Sequence, residues 1–245
     1  MPESETTWII GASDGIGAAL AREYAKRGAR LILSARSADK LDAMIAELGP
    51  THIAVALDVA ERDSIEQAAA HIRKFGKLDR VVNLAALYDP GKVTGLDPDK
   101  AAQIVTANLT GSFHVAQVAQ RLLRKGGQLA LCGSVAGYIG LPQGQIYSAT
   151  KAGVINLAES LRSELAGRFD VRLINPGFVD TRLTKRNDFQ MPAMVTPEVA
   201  ARQIIRGLNS RNFEVHFPRR LTWSLKFLRT LPYWAMFRLT RRLVQ

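Results

Sequence analysis

Three observations make a doubly wound α/β sheet the fold that this 245-residue sequence predicts. Short β-branched and apolar runs alternate with amphipathic stretches of roughly 10–20 residues, the spacing of parallel βαβ units. A glycine-rich turn follows the first of those runs directly. Polar residues of chemical interest recur just past the ends of several others. Right-handed crossovers then put helices on both faces of the sheet, and ligands bind outside the carboxyl ends of its strands.

In chain order, residues 7–10 read as a strand and 15–27 as a helix, then 30–34 as a strand and 38–48 as a helix. Residues 52–57 form the next strand, 64–75 a helix, 79–85 a strand and 98–124 one long helix. A strand at 128–133, a helix at 145–166 and a strand at 171–175 follow. The helix at 197–208 and a short strand at 214–217 complete the pattern. Neither a linker nor a repeat interrupts it, so residues 1–218 are expected as one domain and 219–245 as a helical tail.

Composition narrows the function classes. With 47% hydrophobic and 22% charged residues the chain is ordinary globular protein, not disordered or fibrous. A single cysteine, Cys132, excludes an internal disulfide or a cysteine-cluster metal site and suits a reducing cytoplasm. Met1-Pro2-Glu3-Ser4-Glu5 lacks the basic start and apolar run of a secretory leader, and no apolar stretch is long enough to span a bilayer. The net charge of +11 is uneven: residues 211–245 hold eight Arg or Lys against one acid, Glu214. A nearly balanced body with a basic tail argues against a nucleic-acid binder.

The glycine-rich turn is Gly11-Ala12-Ser13-Asp14-Gly15-Ile16-Gly17. Glycines there let the backbone turn tightly and approach a pyrophosphate, whose charge then faces the N–H groups of the next helix. At the end of the second strand stands Arg36, where a sheet that binds NAD usually offers an acid to the ribose. A basic residue suits the 2′-phosphate, so NADP(H) is favoured over NAD(H).

Tyr147 and Lys151 are four apart, on one face of a predicted helix. A neighbouring ammonium favours phenolate, and such a pair can pass a proton to a carbonyl oxygen. Tyr88 and Lys92 repeat the spacing, but Pro90 and Gly91 break the helix between them, which makes that pair a decoy. Ser134 follows the fifth strand, where its hydroxyl suits either a substrate oxygen or a turn cap. Asn108 lies within the long helix and alone says little.

Taken together, the glycine loop, Asp58, Asn83, Asn108, Ser134, Tyr147-x3-Lys151 and the run Pro176-Gly177-Phe178-Val179-Asp180-Thr181 resemble the short-chain dehydrogenase/reductase family over residues 7 to about 210. The resemblance implies a Rossmann-like, seven-stranded parallel sheet and an Asn-Ser-Tyr-Lys tetrad. Tyr147 would be the acid/base and Ser134 would orient the carbonyl. Lys151 would tune the tyrosine and hold the nicotinamide ribose, and Asn108 would support a water relay. Cofactor contacts would come from Gly11, Ser13, Gly15, Ile16, Gly17, Arg36, Asp58, Val59, Asn83, Ala85, Pro176, Gly177, Val179 and Thr181, besides Tyr147 and Lys151. A homodimer or homotetramer is expected. Three positions depart from the family pattern: Ile10 replaces a threonine, Ala86 a glycine, and Asp14 a residue that is often basic in NADP-using members.

Residues 182–195 would cover the substrate, and Phe189, Met191, Pro192 and Met194 with Ile139, Leu141 and Phe178 would give an apolar pocket. An alcohol/carbonyl pair of apolar character is the expected substrate, and a non-catalytic dinucleotide sensor or scaffold is the alternative. In the tail, leucines and aromatics at helical spacing are interleaved with arginine. That pattern fits a helix lying peripherally on the inner face of a membrane as well as one packed on protein.

Overall fold

The first apolar run is buried on both faces: Thr7, Trp8, Ile9 and Ile10 are at most 1% exposed. Two-sided burial belongs to a strand inside a helix-covered parallel sheet. The protein, described here by a computed structural model for residues 5–140, 142–186 and 191–240, builds that sheet from seven strands. They are β1 (Thr6–Ile10), β2 (Arg30–Ser34), β3 (Ile53–Ala54), β4 (Leu78–Asn83), β5 (Leu123–Cys132), β6 (Asp170–Pro176) and β7 (Glu214–Phe217). All pairs are parallel, in the order β3-β2-β1-β4-β5-β6-β7.

Helices α1 (Gly15–Ala25), α2 (Ala38–Leu48) and α3 (Arg62–Ile72) alternate with the first strands. Then come α4 (Pro98–Val105), α5 (Gly111–Leu122), α6 (Gln145–Glu164) and α7 (Pro197–Leu208), with α8 (Arg219–Thr230) and α9 (Tyr233–Thr240) forming the tail. Because successive strand residues point to opposite faces, β1 divides its side chains between two cores. Ile9 meets Leu20, Leu41 and Ile204 of α1, α2 and α7, while Trp8 and Ile10 join Ile65, Val115 and Val154 of α3, α5 and α6. The one polar atom of Trp8 is satisfied, its Nε1 donating to Ser34 Oγ at 3.0 Å.

Three stretches differ from the sequence expectation. The strand expected over 52–57 pairs formally only at Ile53–Ala54, although Val55 and Leu57 N–H still reach Leu33 and Ala35 O at 2.9 and 3.0 Å. It is an edge strand with one neighbour, so its ladder is short. The long helix expected over 98–124 is broken by a π-helical turn, Thr106–Thr110, and Leu123 is already extended and paired with Leu78. The extra residue of a π turn is invisible to a 3.6-residue period. In the loop expected over 182–195, a short turn forms at Thr184–Arg186 and Val195 bridges to Val179.

The tail is helical and divided. Thr222 and Leu225 of α8 and Met236 of α9 are buried against the body, and Lys226 forms an ion pair with Glu214. The opposite faces are exposed. Arg241 and Arg242, like Leu141 and Phe189 of the expected pocket, lie outside the described residues.

Candidate active site

The strand order reverses between β1 and β4, and the loops after these two strands meet at the carboxyl edge of the sheet. Gly11 has φ +85°, and a Cβ there would lie 2.8 Å from Ala85 N. A Cβ at Gly17 would collide with the Gly11 carbonyl oxygen. The loop holding Ser13 and Ile16 therefore closes only with glycine at both positions. Its start is fixed to the neighbouring strand, Gly11 and Ala12 N–H donating to Ser34 O at 2.7 and 3.0 Å. This brings the end of β2, and exposed Arg36 two residues beyond it, alongside the loop.

N–H groups in the first turn of a helix have no acceptor in their own helix. Asp14 takes that of Gly15 at 2.7 Å, and those of Ile16 and Gly17 are the donors a diphosphate would use. The Asp14 carboxylate also pairs with Arg182 Nε at 3.4 Å, a long-range partner that leaves no mark in the sequence pattern. On the far side of the loop, Thr181 lies so near Gly15 that a Cβ there would come within 2.9 Å of its methyl. The segment carrying Pro176, Gly177, Val179 and Thr181 is thus held against the glycine loop. Val195 braces it, accepting from Asp180 N–H at 2.9 Å and donating to Phe178 O at 3.0 Å.

Asn83, the last residue of β4, is buried and spends its amide inside the protein. Its Oδ1 accepts from Ala85 N–H at 3.2 Å and its Nδ2 donates to Ser112 Oγ at 3.2 Å. Asp58 likewise shapes its own turn, accepting from Ala60 N–H at 2.9 Å, with Val59 buried beside it. Asn108 sits in the π turn, where Oδ1 accepts from Leu87 N–H at 2.7 Å and Nδ2 donates to Leu87 O at 2.9 Å and Thr150 Oγ1 at 3.2 Å.

These bonds join into one chain. Asn83 donates to Ser112, whose hydroxyl donates to Asn108 O at 2.6 Å, and Thr150 passes the link to Tyr147 O at 2.7 Å. Ser112 and Thr150 are buried hydroxyls on α5 and α6 that tie the end of β4 to the residue bearing the phenol.

Tyr147 and Lys151 occupy the first turns of α6. Lys151 is 2% exposed, its Nζ donates to Cys132 O at 2.8 Å, and the same nitrogen lies 5.6 Å from the Tyr147 ring centre. Ser134 stands across from the pair and caps the turn Val135–Gly137, its Oγ accepting from Ala136 N–H at 3.1 Å. That turn packs directly on α6, since a Cβ at Gly137 would lie 2.7 Å from the Lys151 carbonyl carbon.

Burial pushes the Tyr147 phenol well above its ordinary value, the neighbouring Cys132 and Tyr88 add to this, and the Ser134 hydroxyl opposes it. Burial in turn pulls the Lys151 ammonium below its ordinary value. An ammonium one helical turn away would draw the phenol toward phenolate. In this geometry desolvation is the largest influence on the phenol, and it favours the protonated form.

Tyr88, set aside as a decoy, lies in this site: its ring meets Tyr147 edge-on at 4.7 Å and 68°. Pro90 and Gly91 do break the helix, as expected, but the loop after β4 carries the ring back across. Ile139 is taken up by the core, whereas Phe178 and Met191 remain partly exposed and Met194 is about half exposed, at 47%. Glu214, which had counted only as the lone acid near the tail, accepts from Asn175 Nδ2 at 2.7 Å and also from Tyr138 and Lys226. Burial raises its carboxyl, but these three donors outweigh it and hold the group below its ordinary value. One carboxylate thus joins β6, the residue after the Ser134 turn, and α8.

A family model for short chain dehydrogenases matches residues 5–191. An uncharacterized oxidoreductase of Myxococcus xanthus is 34% identical over 234 residues, covering 93% of this chain and 92% of its own. A short-chain dehydrogenase of Sphingobium yanoikuyae, solved with NADPH, superposes with a TM-score of 0.78 at 25% identity, over 86% of this chain and 87% of the other. A short chain dehydrogenase/reductase of Burkholderia phymatum, solved with NAD, reaches a TM-score of 0.83 at 22% identity, over 91% and 92%.

Proposed function

This chain belongs to the short-chain dehydrogenase/reductase family, and we propose that it is an NADP(H)-dependent oxidoreductase that interconverts an apolar ketone or aldehyde and its alcohol. The observation that carries the reading is the convergence of Ser134, Tyr147 and buried Lys151 beside a glycine loop at the switch point of the sheet. A protein that only sensed a dinucleotide would need the loop but not the buried Tyr-Lys pair. The coenzyme supplies or accepts the hydride.

The chain's own residues do the rest. Ile16 and Gly17 N–H would hold the diphosphate at the start of α1, and Thr181 and Val179 would border the nicotinamide. Ser134 donates to the carbonyl oxygen and Tyr147 delivers the proton as negative charge develops there. Lys151, whose ammonium donates to the Cys132 carbonyl, would hold the nicotinamide ribose and favour the phenolate left after proton transfer. Asn108, fixed on the Leu87 backbone, holds the π turn under α6. Phe178, Met191 and Tyr88 supply apolar surface, which favours an apolar substrate over a sugar. Assembly as a homodimer or homotetramer accords with family membership.

Coenzyme choice rests on Arg36. A guanidinium forms charge-assisted bonds with a phosphate worth about 1.5–3 kcal/mol each. The acid within the loop, Asp14, is paired with Arg182. Arg36→Ala is expected to raise the Kd for NADPH roughly 10- to 100-fold and that for NADH less than about twofold. Fluorescence titration of both coenzymes reads this. Equal losses would remove Arg36 from 2′-phosphate recognition.

A further inference from the structure

Ten large hydrophobic side chains stand exposed among the described residues, and six of them fall in the tail: Trp223, Phe227, Tyr233, Trp234, Phe237 and Leu239. Tyr233 and Trp234 are 74% and 75% exposed. The two helices bury the opposite side, Thr222 and Leu225 on α8 and Met236 on α9, so the outward aromatics are not a packing face turned the wrong way. Trp223 and Phe227 share one outward face of α8 at i,i+4, and Tyr233 and Phe237 stack at 5.6 Å on α9. Single exposed apolar residues need no explanation, but a concentration of this kind marks an interaction surface.

The charge around it selects the partner. Arg219, Arg220, Arg229 and Arg238 are exposed on the same two helices, and no acid follows Glu214 in the sequence. Lys226 is already held by Glu214. Pairing with a second copy through a two-fold axis would bring these arginines against one another, because such an interface is self-complementary. Tryptophan and tyrosine with interleaved arginine instead match the boundary between acyl chains and anionic headgroups. No described helix is long and apolar enough to cross a membrane, so the contact is with a surface.

We propose that the outward faces of α8 and α9 dock the protein onto a bilayer surface bearing anionic lipid headgroups. The dock lies next to the site already described, since α8 begins against Gly177: a Cβ there would lie 3.0 Å from Leu221 Cδ2. The inference does not rest on the catalytic reading, because binding is measured without turnover.

Co-sedimentation of the full chain with vesicles tests it. The chain is expected to pellet with phosphatidylcholine vesicles containing phosphatidylglycerol, to stay in solution with phosphatidylcholine alone, and to be released by high salt. The double variant Phe227→Ser/Trp234→Ser removes two exposed rings with no buried role. It should lower the partition coefficient about tenfold and leave the melting temperature unchanged. Failure of the parent to pellet with anionic vesicles, or equal pelleting with both kinds, overturns the proposal, as does a double variant that partitions like the parent. A parent whose solution mass falls by half in the double variant also overturns it, by showing that the face joins two copies.

Discussion

Tyr147→Phe is expected to lower turnover by about 10³-fold, within the range that a positioned general acid contributes. Coenzyme affinity should stay within about twofold, because only the proton path is removed. The substitution deletes one oxygen from a ring packed edge-on against Tyr88, so the packing survives. Single-turnover kinetics with saturating coenzyme, alongside a coenzyme titration, separate the two effects. The raised phenol gives a pH signature as well. Carbonyl reduction needs the protonated phenol, so it should hold a plateau through neutral pH and fall only as pH rises through that raised value. Alcohol oxidation needs the phenolate and should climb over the same interval.

Lys151→Met is the second large effect. The side chain is 2% exposed, and its ammonium is held by a single backbone carbonyl, that of Cys132. Replacing a desolvated cation by an apolar chain of similar volume is commonly neutral or stabilising. Turnover should nevertheless fall about 10²-fold or more, since the ammonium is assigned both to the phenol and to the nicotinamide ribose. Coenzyme affinity should fall with it, which distinguishes this variant from Tyr147→Phe. A thermal melt at or above the parent's, with activity lost, is the expected pairing. A collapsed melt would mean that Lys151 is chiefly structural.

Much of this was legible from spacing. The two-sided burial of β1 is written in Thr7-Trp8-Ile9-Ile10, and the glycine loop in residues 11–17. The Tyr147–Lys151 pair is local to one helix and so leaves a local mark. What the sequence did not carry was long-range. Ser112 and Thr150 are unremarkable hydroxyls on helices, and only the packing of the π turn against α6 turns them into the link between Asn83 and Tyr147. Tyr88 leaves no such mark, because loop backbone that breaks a helix carries no periodic trace of where it returns. The π turn adds one residue to an otherwise continuous amphipathic pattern. For the tail, the packing alternative describes one face: Leu225 is buried on protein, while Phe227 stays exposed and Trp223 meets the body through the His216 ring.

The state of the phenol changes the account most. Sequence alone sets an ammonium beside a tyrosine and infers phenolate. The folded chain places both in surroundings poor in water, where each charged form is disfavoured. Ser134 is the remaining polar influence that lowers the phenol, which gives this hydroxyl a second role besides capping its turn.

The most direct test of the central claim follows the hydride itself. The protein is incubated with an apolar ketone and NADPH deuterated at one or the other face of the nicotinamide C4, and the alcohol is weighed by mass spectrometry. A hydride-transferring enzyme predicts one deuterium per molecule on the carbinol carbon from one labelled face, and none from the other. Coenzyme that binds but is never consumed across ketones, aldehydes and secondary alcohols would contradict the account and leave a dinucleotide-binding protein without catalysis.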